Sequence, residues 1–374
     1  MKKCKPFWLQ TYLESMLKLN RVTIYGIIRI KIILFDQVVF EETIFHKMKV
    51  TIETRSVKME AIEIFREIIG KRLSPLILNY NPYTKQYQIH PFRHVITPSF
   101  ERDFSDILFD SIIFYAFEKN EIEREYDRGK LSDLRKASRA AYESRVPKTE
   151  KQADGLMGEL ALDSFIKLFF EDIELLYSRV KFLERKPQKE LIEKRTGQEV
   201  KGYDGLVFSS SNGQRYMWAG QVKTGDWGYC LREIKEDINK SILETYFSSA
   251  MLIMTDIMRS TSSNSALLQK IIDDLNDLQL DYSTDLPTLH KKVVKYFKDN
   301  RIIIRLPCLI IVDEKNYDDE SQLLETIKKK CSNAFDSFII TNNSEFEIEV
   351  LLMVFPVRNL AKIREEFLNI RKNI

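Results

Sequence analysis

Two runs near the end of the chain, RIIIRLPCLIIVD (301–313) and FEIEVLLMVFP (346–356), are almost unbroken stretches of β-branched and apolar residues. A strand of that composition has no wet face, so it belongs in the interior of a sheet that is covered on both sides. Helices must supply the covers, and the chain holds several candidates. VKMEAIEIFREIIGKRL (57–73), FSDILFDSIIFYAFEKNEIEREY (104–126), SDLRKASRAAYESR (132–145) and ADGLMGELALDSFIKLFF (153–170) read as helices. So does REIKEDINKSILETYFSSAMLIMTD (232–256), whose spacing suits a long helix packed on the sheet. The fold class this implies is α/β, a central mixed β-sheet flanked by helices.

A hairpin stands in the middle of the chain. GYDGLVF (202–208) and YMWAGQVKT (216–224) read as consecutive strands joined by the turn SSSNG. Seventeen residues separate Asp204 from Gln221, enough for one hairpin. Side chains alternate along a strand, so Gln221 and Lys223 share a face and Val222 takes the other. In the helix over 153–170, Asp154 is the expected N-cap. Glu159, Leu162, Ile166 and Phe170 fall at i, i+3, i+7 and i+11, which sets a carboxylate on an otherwise apolar line and demands a partner for it.

Glu159, Asp204, Gln221 and Lys223 are the candidate catalytic residues, the first three of them as metal ligands. Two carboxylates and an amide oxygen are hard donors that suit Mg²⁺, with Mn²⁺ as the other possible ion. Such an ion polarises a phosphoryl oxygen and lowers the pKa of a bound water, while a lysine offsets charge developing in the transition state. These residues resemble the site of the PD-(D/E)xK nuclease superfamily, in which an Asp and a downstream acid-x-Lys on neighbouring strands bind metal beside a helix Glu. Here Gln221 stands where that pattern has an acid, so the site carries one negative charge fewer.

A wider similarity rests on three blocks: RKASRAAYESRVPKTEKQADGLMGELALDSFI; EVKGYDGLVF with WAGQVKTGDWGYC; and RLPCLIIVD with FEIEVLLMVFPVRNLAKIREEF. They span about residues 130 to 370 and resemble the HamA family, the nuclease effector of the bacterial Hachiman anti-phage system. The resemblance implies a PD-(D/E)xK nuclease-like core, DNA as substrate and a HamB-like helicase as partner. It also implies that Glu159 and Asp204 match the family's metal-binding acids and Lys223 its catalytic lysine, with Gln221 departing from the usual Glu.

Composition bounds the rest. With 44% hydrophobic and 30% charged residues over 374 positions, the chain is an ordinary globular protein with material for one large or two modest cores. A net charge of +3 does not by itself announce a nucleic-acid binder, so any electrostatic footprint is local. The segment 179–201 holds eight Lys or Arg against four Glu just before the Asp204 strand. It reads either as a track for a phosphate backbone or as a solvated surface loop. Cys4, Cys230, Cys308 and Cys331 show no CxxC spacing, which argues against zinc and for a reducing compartment. No secretory signal stands at the start, and IIRIKIILF is too short to span a bilayer, so the expectation is a cytoplasmic protein without a membrane segment. Neither a Walker A pattern nor GxGxxG is present, which assigns any ATP-driven step to a partner.

The expected organisation is an N-terminal accessory region over 1–130 and a nuclease-like domain over 131–374 with a helical insertion near 255–300. Residues 22–55 alternate in a strand-like way. Trp227 and Tyr229, just past the QVK strand, read as packing beneath the following helix in preference to stacking on a base. Cys230 is a poor nucleophile candidate. Arg139, Arg145 and Lys148 read as ordinary helix-surface cations, and Glu199 and Asp226 as members of surface ion pairs. Two other functional readings stay open beside the metal-dependent nuclease: a cleavage-deficient DNA-binding or scaffolding subunit, and a stand-alone restriction-type endonuclease.

Overall fold

The computed structural model describes residues 59–117, 119–146, 155–170, 174–176, 205–243, 266–279, 286–315, 317–338 and 346–372. The strand-like stretch 22–55, the basic segment 179–201, Asp154 and Asp204 lie outside the described residues. Contacts group Glu60–Ile374 as one compact unit, whereas the sequence suggested a boundary near 130.

The sheet explains that difference. Its strands are β1 (Ile77–Asn79), β2 (Tyr83–Thr84), β3 (Gln88–His94), β4 (Glu174–Leu176), β5 (Gly205–Ser211), β6 (Gln214–Gly225), β7 (Ile302–Asp313) and β8 (Ile348–Val357). They run in the order β1-β3-β8-β7-β6-β5-β4, with β2 paired to β3. The early strand β3 is parallel to the late strand β8, so the region before residue 130 contributes to the same sheet as the region after it. The two apolar runs form β7 and β8, the parallel centre. β4, β5 and β6 add an antiparallel flank, which makes the sheet mixed.

The hairpin is tighter than SSSNG suggested. Ser209 to Ser211 extend β5, and the turn is Asn212-Gly213 alone, both at positive φ (50° and 78°). A two-residue turn of that hand matches the twist of the flanking strands. Parallel pairing of β6 with β7 runs from Arg215↔Ile302 to Trp218↔Arg305 and again from Gln221↔Cys308 to Gly225↔Val312. The break between them falls opposite Pro307, which has no N–H to give.

Helices cover both faces. They are α1 (Ala61–Phe65), α2 (Lys71–Leu73), α3 (Phe100–Asp110), α4 (Ile112–Ala116), α5 (Lys119–Asp127), α6 (Leu134–Arg145), α7 (Leu156–Phe169), α8 (Trp227–Leu243), α9 (Ala266–Gln279), α10 (Leu286–Asp299), α11 (Glu320–Phe335) and α12 (Leu360–Lys372). A π turn, Arg66–Gly70, joins α1 to α2. The single helix expected over 104–126 is three. Ser111 interrupts it by turning its hydroxyl back onto the Leu108 carbonyl at 2.7 Å, and Phe117 is extended.

On one face, Met217 and Ala219 of β6, Cys308 and Ile310 of β7 and Leu352 and Val354 of β8 pack against Cys230, Ile234 and Ile238 of α8 and Ile327 and Cys331 of α11. On the other, Phe355 of β8 meets Phe104 of α3 and Phe165 of α7, with ring centroids 5.6 and 5.2 Å apart. Each such buried side chain contributes about 1.5–3 kcal/mol relative to exposure. Among the described residues of the expected insertion, α9 and α10 are helical and bury Ile271, Leu275, Val293 and Phe297 in the α8-side core.

Candidate functional site

β6 carries the candidate triplet. By register, Gln221 and Lys223 lie beside Cys308 and Ile310, on the face covered by α8. Val222 and Thr224 face the other way, against α7. A Cβ built on Gly158 of α7 would lie 3.1 Å from Val222 Cγ2 and 3.3 Å from Thr224 Cγ2. The predicted sharing of a face by Gln221 and Lys223 is therefore observed.

Lys223 makes an ion pair with Asp237 of α8, Nζ to Oδ2 at 2.6 Å. The two side chains are 22% and 26% exposed, so the pair sits where solvent reaches it but does not surround it. Gln221 is buried at 8% exposure. On the neighbouring strand, Gly205 pairs with Gly220, so the residue after Asp204 lies opposite the residue before Gln221. Asp204 itself is outside the described residues.

Glu159 occupies the first turn of α7, a helix that lies against the opposite face of β6. It is 6% exposed, and Oε2 accepts a hydrogen bond from the Tyr115 hydroxyl of α4 at 2.5 Å. The partner the sequence demanded is thus present. The apolar line expected through Leu162 and Ile166 is present too, with both buried. What the sequence reading missed is the next line over. Glu159, Asp163 and Lys167 follow at four-residue intervals and form a buried polar stripe. Lys167, 2% exposed, bonds Asp163 at 2.7 Å and the Phe114 carbonyl at 3.2 Å. Asp163 and Lys167 flank an apolar segment at i and i+4, and that pairing was the available signal.

At the end of β6, Arg364 of α12 donates to the Thr224 carbonyl (3.0 Å) and hydroxyl (2.6 Å), tying the strand to the last helix. Asp226 then accepts from the Tyr229 amide at 2.9 Å and opens α8. Trp227 is buried as expected and donates to Glu314 at 3.0 Å, while Tyr229 stays 41% exposed, contrary to the packing expected for it. Cys230 is fully buried. Burial first and Asp226 second push its thiol up to about 12, which keeps it protonated and unreactive. Beside this corner a groove of about 630 Å³ runs between α8 and α11, with Trp227, Leu231, Arg232, Lys235, Lys330 and Asn333 in its lining.

Among the described residues, no three His, Cys, Asp or Glu side chains group as a metal site. The donors on the α8 face, the Gln221 amide and the Asp237 carboxylate, are hard oxygens beside a lysine, which fits Mg²⁺ in kind. Among the described residues no helix is long and apolar enough to cross a membrane.

The fold and the hairpin define an α/β protein with a mixed sheet whose antiparallel flank presents a Gln-x-Lys face beneath a helix. The chain belongs to the HamA family, the Hachiman defence component, whose family model matches residues 74–370. No curated protein and no solved structure matches it.

Proposed function

We propose that this chain is a metal-dependent deoxyribonuclease that hydrolyses DNA phosphodiester bonds in anti-phage defence, working with a helicase partner. Membership of the HamA family supports the setting. The observation that carries the chemistry is the placement of Gln221 and Lys223 on one face of β6, next to β5, whose first described residue, Gly205, follows Asp204 in the chain.

In this reading Asp204 and the Gln221 amide would hold Mg²⁺ or Mn²⁺; Glu159 matches a ligand by family resemblance alone, because α7 carries it against the face of β6 opposite Gln221 and Lys223. The ion supplies Lewis acidity at the phosphoryl oxygen. Lys223 brings an ammonium to the same face and offsets the charge that accumulates on the phosphoryl group. The side chains of β7 beneath the site, Cys308 and Ile310, are fully buried and apolar, which strengthens any charge interaction above them. A double-strand-binding groove is not required for this chemistry, but the cations Arg232, Lys235 and Lys330 at the α8–α11 groove suit a phosphate backbone.

The test is plasmid integrity with Mg²⁺ or Mn²⁺ against EDTA, for the native chain and for Lys223→Met. Cleavage by the native chain alone supports the nuclease. Equal behaviour of the two proteins favours a DNA-binding or scaffolding subunit, the reading that the uncharged Gln221 supports. Discrete sequence-specific fragments without any helicase would point to a stand-alone endonuclease.

A further inference from the structure

We propose that Asp237 is a metal ligand of this site and supplies the carboxylate that Gln221 lacks; the inference rests on the nuclease reading above. α8 meets the sheet through a stripe of Cys230, Ile234 and Ile238, all buried in the core. Asp237 falls three residues after Ile234 and seven after Cys230, so it stands at the edge of that stripe, one turn beyond Glu233 and half-buried like it. A carboxylate placed there reaches the strand while keeping part of its surface in contact with solvent. What it meets is Lys223, at 2.6 Å.

A Gln-x-Lys strand offers one neutral oxygen and one positive charge, a set with little attraction for a divalent cation. An acid on the helix above the same face restores the missing charge without altering the strand. It also places that charge beside the lysine, so ion, lysine and a phosphate share one locus. Metal affinity in oxygen sites is tuned by the number of charged ligands, so the loss of this one carboxylate must show in binding itself.

The deciding measurement is Mn²⁺ binding to the full chain, read from the electron paramagnetic resonance signal of the free ion. It compares the native protein with Asp237→Asn, Asp237→Glu and Lys223→Met. Asp237→Asn and Lys223→Met break the same ion pair, but only the first removes the acid. The expected result is a loss of affinity of about tenfold or more in Asp237→Asn, substantial retention in Asp237→Glu, and no loss in Lys223→Met. Equal loss in Asp237→Asn and Lys223→Met, or failure of both to fold, overturns the proposal and leaves Asp237 a structural tie between helix and strand. Native-like binding by Asp237→Asn in a protein that cuts DNA overturns it while the nuclease reading stands. A native chain that neither binds Mn²⁺ nor cuts DNA removes both.

Discussion

Gly158 sits so close over Val222 that a single added carbon would stand 3.1 Å from a Val222 methyl, with a second methyl at 3.3 Å. Val222 is β-branched and held in a strand, so it has little freedom to withdraw. This contact seats α7 on the strand that carries Lys223 and so fixes the height of Glu159 above it. Alanine at 158 would gain up to about 1 kcal/mol of helix propensity, while overpacking costs about 1–3 kcal/mol. Gly158→Ala should therefore destabilise the protein by about 1 kcal/mol, and Gly158→Val by clearly more. Urea unfolding measures both. A stabilised Gly158→Ala would mean that the helix lifts off without penalty.

Tyr115 and Glu159, both nearly inaccessible to water, share the 2.5 Å bond that answers for a carboxylate inside the protein. Tyr115→Phe keeps the ring and removes the donor, which should cost about 1–3 kcal/mol. In a double-mutant cycle with Glu159→Gln, part of that loss should vanish, because the amide needs the hydroxyl less than the carboxylate does. Strict additivity would show that the bond contributes nothing to folding.

The centre of the sheet was legible because its composition permits no other environment: the runs at 301–313 and 346–356 became β7 and β8. The hairpin was legible for a similar reason, since Asn212-Gly213 tolerates positive φ and alternation then fixes which side Gln221 and Lys223 take. The extent of the domain was not legible. β3 joins β8 across more than 250 residues of chain, from Gln88↔Leu351 to Pro91↔Val354, and short-range patterns hold no record of such a pairing. Asp237 was hidden by its own surroundings, because in REIKEDINKS one acid among several charges looks like a solvated face until the direction of the helix is known. Tyr115 was hidden by a break in the helix at Ser111 that propensity alone did not place.

His90 makes stability depend on pH in a defined direction. Burial first, and the nearby Arg305 charge second, lower its imidazole from 6.5 to about 4. The unfolded chain therefore binds the extra proton between about pH 6.5 and 4 and the folded chain does not. Stability from this group is fully present above pH 6.5 and declines as the pH falls through that window. The loss is on the order of 2–3 kcal/mol at most, since the ring keeps some contact with solvent. Urea midpoints at pH 7 and pH 4.5 should differ, and His90→Phe should flatten part of the slope. His94, also lowered by burial, carries some of the remainder. An unchanged slope in His90→Phe would assign the dependence elsewhere.

The groove between α8 and α11 should reveal itself through salt. Arg232 of α8 is well exposed and stands over the ring of Tyr229 at 5.8 Å, and Lys330 of α11 lies over Trp227 at 4.9 Å, so each wall contributes a cation set against an aromatic face. If DNA lies there, each cation contacts a phosphate and releases about one condensed counterion on binding. Replacing Arg232 or Lys330 by Ala should then weaken DNA binding across unrelated sequences and reduce the slope of log K against log salt by about 1 for each residue. Tyr229→Ala should weaken binding of single-stranded DNA by about 1–3 kcal/mol if a base stacks on its exposed ring, with little change in slope because no charge is removed. Fluorescence anisotropy over a series of salt concentrations separates these effects. Slopes for Arg232→Ala and Lys330→Ala that match the native protein would place the DNA path elsewhere, leaving Lys223 and its strand face untouched by the result.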